Sequence, residues 1–185
     1  MVTANKLAYV GSTPEAYTDS RDSDSWYTPI SYVEDARYVF GGEISLDPFS
    51  SDLANQKIKA ISHNTFNDDA LTKDWATSGL RSVWINPPYG RTMGKAVDKF
   101  LAEYEKKSFT QGILLCNNST DTKWFKNLSL KANAFCFTNH RIAFEAFDGK
   151  VSSTNTRGQC FIYYGNDINK FSETFKKHGL ILIKV

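Results

Sequence analysis

A short apolar stretch, Val83-Trp84-Ile85, runs directly into Asn86-Pro87-Pro88-Tyr89, and this junction constrains the fold more than any other part of the chain. The three apolar residues are typical of a buried β-strand. Neither proline can donate a backbone hydrogen bond to a neighbouring strand, so the strand cannot continue through them. The junction therefore predicts a buried strand whose carboxyl end opens into a loop.

The rest of the chain alternates strand-like and helix-like patterns and becomes rich in strands in its last third. Alternation is typical of an α/β fold with a mainly parallel sheet between helices. The strand-rich part predicts antiparallel strands at the C-terminal edge. The predicted strands cover about 44–46, 63–67, 83–85, 112–116, 134–137, 142–147, 159–164 and 180–185. The first predicted helix begins at Pro29, with Thr28 as its N-cap. Four further helices are predicted over about 51–60, 92–107, 121–130 and 168–177.

Two segments follow predicted strands at the same edge of this sheet. Asp47-Pro48 comes after the first strand, and Asn86-Pro87 comes after the strand over 83–85. In open α/β sheets, ligands bind beyond the carboxyl ends of the strands. We therefore expect both segments to lie on one ligand-binding rim.

Composition predicts one globular domain behind a flexible arm. The chain has 185 residues, of which 41% are hydrophobic and 23% are charged, values typical of a single folded domain. Residues 1–25 contain turn residues and a charged, serine-containing run, so we expect a flexible arm before a domain over 26–185. No apolar run approaches the ~20 residues that span a bilayer, and no secretion signal is visible.

The three cysteines, Cys116, Cys136 and Cys160, are far apart and lie in apolar stretches. An odd number without CxxC spacing argues against a disulfide framework and against a zinc site. Buried free thiols, no metal and a reducing cytoplasm are therefore expected. The net charge of +2 permits a nucleic-acid partner without indicating one.

The loop after Ile85 has the groups needed to hold a planar amino group. Asn86 offers a side-chain carbonyl as an acceptor, and a cis or tightly turned Pro-Pro pair would fix the direction of the Pro87 carbonyl. The ring of Tyr89 offers a flat stacking face. Two acceptors on one NH2 draw its nitrogen toward tetrahedral geometry, which frees the lone pair for attack on a methyl group. No strong general base is needed, because water can take the proton once the nitrogen is methylated.

Six segments, in this order, resemble the compact phage-type DNA N(6)-adenine methyltransferase family, and together they cover about three-quarters of the chain. The resemblance implies a Rossmann-like, S-adenosylmethionine-dependent fold without a large separate target-recognition domain. It makes Asn86, Pro87, Pro88 and Tyr89 the catalytic residues. The matching segments are Trp26-Tyr27-Thr28-Pro29, Leu46-Asp47-Pro48-Phe49-Ser50-Ser51, Asp69-Ala70-Leu71 with Trp75, Trp84-Ile85-Asn86-Pro87-Pro88-Tyr89, Asp121-Thr122-Lys123-Trp124-Phe125 and Arg141-Ile142-Ala143-Phe144.

The same resemblance implies a set of residues that bind S-adenosylmethionine. Thr28 and Pro29 would hold its methionine end, where a helix N-terminus favours a carboxylate. Asp47 would pair with its ammonium, although serines stand where many methyltransferases carry a glycine-rich turn. Asp69 would bind its adenine, with Asp68 as an alternative, and no acidic residue for its ribose stands out. The complete expected set is Trp26, Thr28, Pro29, Asp47, Pro48, Ser50 and Asp69.

The expected partner is double-stranded DNA, bound by a monomer or a homodimer in the cytoplasm of a bacterial host cell. Arg141 is a candidate phosphate contact. The region of Asp121, Lys123 and Trp124 would border the target pocket. Three alternatives stay open: methylation of RNA adenine, methylation of a protein glutamine, and a non-catalytic nucleic-acid-binding module. Further cations that could form a basic face are Arg91, Lys95, Lys99 and Arg157.

Overall fold

A computed structural model describes residues 27–76, 79–146, 151 and 155–184, so the predicted arm and Trp26 lie outside the described residues. The described chain forms a seven-stranded sheet with five α-helices. The strands are β1 (Leu46–Asp47), β2 (Ser62–His63), β3 (Ser82–Ile85), β4 (Gln111–Asn117), β5 (Ala134–Thr138), β6 (Gln159–Tyr164) and β7 (Gly179–Ile183). The helices are α1 (Ile30–Val39), α2 (Asp52–Ile58), α3 (Arg91–Glu105), α4 (Lys123–Lys131) and α5 (Ile168–Phe175).

The order of strands in the sheet is β2-β1-β3-β4-β6-β5-β7. The pairs β2-β1, β1-β3 and β3-β4 are parallel, and the pairs that involve β6 or β7 are antiparallel. Five of these seven strands therefore run in one direction, which confirms the prediction of a Rossmann-like α/β fold with antiparallel strands near the C-terminus. One detail differs, since β6 lies inside the sheet between β4 and β5 and only β7 forms the edge.

Helices cover both faces of this sheet. Side chains that alternate along β3 and β4 point to two separate cores, so that Val83 and Leu114 belong to one while Trp84 and Ile113 belong to the other. The first core also contains apolar side chains of α3 and α4, and the second contains those of α1 and α5. Burial on both faces explains why the central strands are continuous apolar runs without polar alternation.

Three local predictions are wrong. The strand predicted over 63–67 is confined to Ser62–His63, and Phe66–Asp68 forms a 3₁₀ helix. Helix α1 has Pro29 at its N-cap without a side-chain cap, because the Thr28 hydroxyl accepts a hydrogen bond from Asn86 instead. The strand predicted over 142–147 does not form in the described residues, where only Glu145 makes isolated bridges, to Tyr27 and Val151. Thr28 and the segment 142–147 have local patterns typical of the predicted roles, and tertiary contacts override those patterns.

The helix predicted over 121–130 is α4, which begins at Lys123. Its N-cap is Thr122, whose hydroxyl accepts from the backbone N–H of Phe125. Helix α2 starts as expected, with Ser51 accepting from Ala54. No helix among the described residues is long and apolar enough to cross a membrane.

The carboxyl ends of β1, β3 and β4 lie side by side at one edge of the sheet, which is called the rim below. Asp47 ends β1, Asn86 follows β3, and Asn117 ends β4. The parallel pairing of these strands brings the two predicted segments, Asp47-Pro48 and Asn86-Pro87, to the same rim.

Candidate active site

Asn86 occupies the centre of the rim and is 5% exposed. Its Nδ2 donates to Thr28 Oγ1 at 3.0 Å. Its Oδ1 is buried and accepts no hydrogen bond from the described part of the chain. An unpaired buried acceptor costs roughly 1–3 kcal/mol, a penalty that a bound NH donor would remove. Thr28 fixes the amide with its carbonyl oxygen available as the acceptor.

The next three residues continue the loop predicted from the proline pair. Pro87 and Pro88 are buried, and the peptide bonds before them are trans. The Tyr89 hydroxyl is buried and finds no hydrogen-bond partner among the described residues, although its ring is partly exposed. Burial, with a smaller effect of Cys116, raises the pKa of this hydroxyl well above its ordinary value. Tyr89 therefore presents a neutral, flat ring.

The partly exposed ring of Tyr89 forms one wall of a cleft of about 480 Å³. Aromatic side chains and side-chain amides line this cleft together, which suits a flat ligand with polar edges. We call it the aromatic cleft. The residues that define it are Tyr89, Trp124 and Phe144 with Asn117, Asn155 and Gln159.

Phe144 forms another wall of the aromatic cleft, called the Phe144 wall. The segment before it is held at Ile142 by side-chain amides. Gln159 is 1% exposed, and its Oε1 accepts from the backbone N–H of Ile142 at 3.1 Å. Asn155 Nδ2 donates to the Ile142 carbonyl at 2.9 Å. Gln159 Nε2 also donates to Asn117 Oδ1 at 3.3 Å. Gln159 and Asn155, called the amide frame below, thus give Ile142 both hydrogen bonds that a neighbouring strand would supply.

A second, smaller cavity lies where Thr28, Asp47 and Asn86 come together, and Asn86 lines this cavity and not the aromatic cleft. It combines a hydroxyl, a carboxyl and an amide, and Pro29 follows directly at the start of α1. The enclosed space is about 10 Å³, enough for about one water molecule. A larger ligand group must therefore displace the side chains around it.

Asp47 is buried and is not paired with any cation among the described residues. Its Oδ1 accepts from the Phe49 N–H at 3.2 Å. Burial raises its pKa to about 7, against the lowering effects of the Phe49 N–H, the Ser50 hydroxyl and His63. Pro48 and Ser50 are buried beside it. A buried carboxyl without a cation is suited to a ligand that brings an ammonium group, since the pair would restore its ionised form.

The two aspartates expected near an adenine differ in their contacts. Asp68 is engaged by Thr65 and Lys73, which lower its pKa to about 2. Asp69 is exposed at the end of a short 3₁₀ helix, and its carboxylate accepts from the backbone N–H of Leu71 and from Thr72 Oγ1. The exposed Asp69 is therefore the more accessible of the two, and its proposed role stays a prediction.

The remaining polar candidates divide into paired and unpaired groups. Lys99 lies 2.6 Å from the buried Glu103 and over the Trp75 ring, so its charge is used within α3. Arg157 lines the aromatic cleft, as does Gly90, the neighbour of Arg91. Arg91, Lys95, Arg141 and Arg157 form no ion pair within the described residues. Trp124 lines the cleft and packs against Phe125, whereas Asp121 and Lys123 are not among the lining residues.

Three features of the site were not predicted from the sequence. They are the Thr28–Asn86 hydrogen bond, the amide frame, and Asn117 as a cleft residue. One signal could have revealed Asn117, because it ends an apolar strand in the same way that Asn86 follows one. Gln159 gives a weaker signal, as a polar residue at the start of an apolar strand.

The fold and the rim define a Rossmann-like methyltransferase of the class that carries an Asn-Pro-Pro-Tyr loop after a central strand. A model of the family described as DNA N-6-adenine-methyltransferase (Dam) matches residues 15–178. The chain belongs to this family, and it is an enzyme, a DNA adenine methyltransferase. No curated protein matches it significantly. Within the described residues, no group of three or more His, Cys, Asp or Glu could hold a metal ion.

Proposed function

We propose that this enzyme transfers a methyl group from S-adenosylmethionine to the exocyclic amino group of an adenine that is flipped out of double-stranded DNA. The observation that carries the proposal is the state of Asn86. Its amide is locked by Thr28, and its Oδ1 is buried with no donor from the described chain. An acceptor of this kind is suited to an NH2 group on a planar ligand.

Asn86 Oδ1 and the Pro87 carbonyl act together on the amino group. Each accepts one N–H of adenine, and the nitrogen lone pair then points away from the ring toward the donor. S-adenosylmethionine supplies the electrophilic methyl group. The nitrogen gains this methyl as the bond between the methyl and the cofactor sulfur breaks, and it then loses a proton to water. The contribution of the protein is therefore position and desolvation, and no basic side chain is required.

The aromatic cleft is the proposed place for the extruded base. Extrusion from a duplex costs a few kcal/mol of unstacking and unpairing. Stacking on an aromatic ring contributes ~1–3 kcal/mol per base in other proteins that bind nucleic acid. Tyr89 offers such a face, and Trp124 and Phe144 line the same cleft. The rings therefore offset much of the cost of extrusion.

The residues around the smaller cavity fit the methionine end of the cofactor. The buried carboxyl of Asp47 takes its ammonium group. Thr28, whose oxygen already accepts from Asn86, keeps its own O–H free to donate to the cofactor carboxylate next to Pro29 and the start of α1. Pro48 and Ser50 shape the loop around Asp47. Trp26 and Asp69 are assigned to the adenosine half by resemblance to the family.

Parallel methyl-transfer assays test this proposal. The protein is incubated with tritiated S-adenosylmethionine and, separately, with unmethylated duplex DNA, RNA and a protein extract. Label is expected in DNA alone. Asn86→Ala should abolish it while the calorimetric affinity for S-adenosylmethionine is kept, and Asn169→Ala, on the exposed face of α5, should behave as wild type.

Other outcomes would support the rival functions. Label in RNA alone, or in protein alone, would contradict DNA as the substrate, since RNA adenine and a glutamine amide present the same planar NH2. If the protein failed to bind S-adenosylmethionine, a non-catalytic binding module would be favoured. Normal turnover by Asn86→Ala would remove Asn86 from the chemistry.

A further inference from the structure

Gly158 lies beneath two side chains that approach from different segments of the chain. A Cβ atom added at this glycine would lie 2.6 Å from Arg141 Nη1 and 2.6 Å from Asn118 Nδ2. Both contacts are shorter than real Cβ atoms show. The absence of a side chain at Gly158 therefore allows the guanidinium and the amide to face the same point above its Cα.

The two nitrogens that meet over Gly158 are both donors. A guanidinium has donors only and stays charged in proteins, and a side-chain NH2 also donates. Neither side chain makes a hydrogen bond or ion pair within the described residues, and both are exposed. Two donors that converge without an acceptor favour an anion with several oxygens. We propose that Arg141, Asn118 and Gly158 form a notch that binds a backbone phosphate of DNA.

Each residue of the phosphate notch is the sequence neighbour of a residue that lines or supports the aromatic cleft. Asn118 follows the cleft residue Asn117, and its backbone N–H donates to the Gly158 carbonyl at 3.0 Å. Gly158 precedes Gln159, and Arg141 precedes Ile142, which the amide frame holds. A phosphate in the notch would therefore stand at a fixed position beside the base in the cleft. This inference rests on the proposed function, because the cleft must receive a base of the same DNA.

A phosphodiester fits the notch better than a base edge does. Contacts to phosphates position a protein on DNA without reading its sequence, and a charged guanidinium beside an amide NH2 can share the oxygens of one phosphate. Arg157, which forms no ion pair within the described residues, precedes Gly158 and adds positive charge at the aromatic cleft. The notch would thus fix the strand while the base turns into the cleft.

Two variants distinguish the effect of the guanidinium's position on DNA binding from the effect of its charge. Arg141→Gln removes the charge. Gly158→Ala keeps the charge but fills the notch, and it should fold, since the φ angle of Gly158 is not in the left-handed region and the atoms in the way are ends of side chains. Arg81→Gln is the matched control, because Arg81 is exposed at the amino end of β3, opposite the rim.

The experiment measures binding of a random-sequence 30-base-pair duplex by fluorescence anisotropy between 50 and 200 mM salt. Affinity falls as salt rises, so the slope of log K against log salt is negative. Loss of one phosphate contact should make this slope less negative by about 0.9. We expect this for Arg141→Gln and Gly158→Ala, with unchanged melting temperature and unchanged affinity for S-adenosylmethionine. Arg81→Gln should keep the wild-type slope.

Equal slopes for Arg141→Gln and Arg81→Gln would overturn the notch, as would a wild-type slope for Gly158→Ala. The binding assay needs no methyl transfer, so its outcome is separate from that of the proposed function. If wild type methylates DNA but the variants keep its slope, only the notch fails. If the slopes change but no DNA is methylated, only the proposed reaction fails.

Discussion

Replacing Asp47 with asparagine should stabilise the ligand-free protein at high pH and abolish cofactor binding. The pKa of Asp47 is about 7, against an ordinary value of 3.8. A shift of about 3 units at 1.36 kcal/mol per unit corresponds to about 4 kcal/mol. The cause is burial, which penalises the ionised carboxylate, and asparagine has nearly the same shape without the charge.

The raised pKa of Asp47 determines how the stability of the folded protein changes with pH. The folded state holds the proton of Asp47 more tightly than the unfolded state does, so this group's contribution to stability is complete below about pH 4. It is lost as pH rises to about 7 and is constant above that value. Asp47→Asn should therefore match wild type near pH 4 and exceed it by up to about 4 kcal/mol at pH 8.

Urea unfolding of the ligand-free protein at several pH values between 4 and 8 measures this difference. Asp98→Asn, at an exposed position on α3, is the matched control for the loss of one carboxyl group. Calorimetry at pH 8 should show that Asp47→Asn loses affinity for S-adenosylmethionine. A variant that is less stable than wild type at pH 8, or that binds the cofactor normally, would refute this role of Asp47.

Substitutions at three further positions test the rest of the site. Tyr89→Phe should keep the rate of methyl transfer within about threefold, because the buried hydroxyl has no partner among the described residues. Tyr89→Ala should lower this rate at least tenfold, because the loss of about 1.4 kcal/mol of stacking corresponds to a factor of about ten. Thr28→Val should lower kcat about tenfold by releasing the Asn86 amide, and Thr28→Ser should restore it. Gln159→Glu, which cannot donate to Asn117 when ionised, should raise KM for DNA more than it lowers kcat, since it disturbs the Phe144 wall; equal changes in both would contradict this role.

The sequence predicted the parts of the fold that depend on local chemistry. The proline pair after Ile85 ends β3 because neither proline can donate to a strand, and the same chemistry applies in any tertiary setting. Strand-helix alternation predicted the parallel strands, and therefore the common rim of Asp47 and Asn86. These features follow from hydrogen bonding and periodicity, which a sequence displays directly.

The features that were missed depend on contacts between distant segments. Thr28 has the pattern of an N-cap, but its hydroxyl meets Asn86, 58 residues away. The segment 142–147 has the apolar pattern of a strand, but the amide frame satisfies Ile142. Ile142, Phe144 and Ala146 in this segment are still buried. Periodicity thus predicted burial correctly and the backbone partner incorrectly.

Nucleoside mass spectrometry of host DNA tests adenine as the methylated base without any assumption about the recognition sequence. Wild type and Asn86→Ala are expressed in bacteria that lack adenine methylation of their own, and the methylated nucleosides of the purified DNA are quantified. We expect N6-methyladenine with wild type and none with Asn86→Ala at equal expression. Methylation of cytosine in place of adenine, or equal N6-methyladenine with both proteins, would be incompatible with the proposed reaction at Asn86.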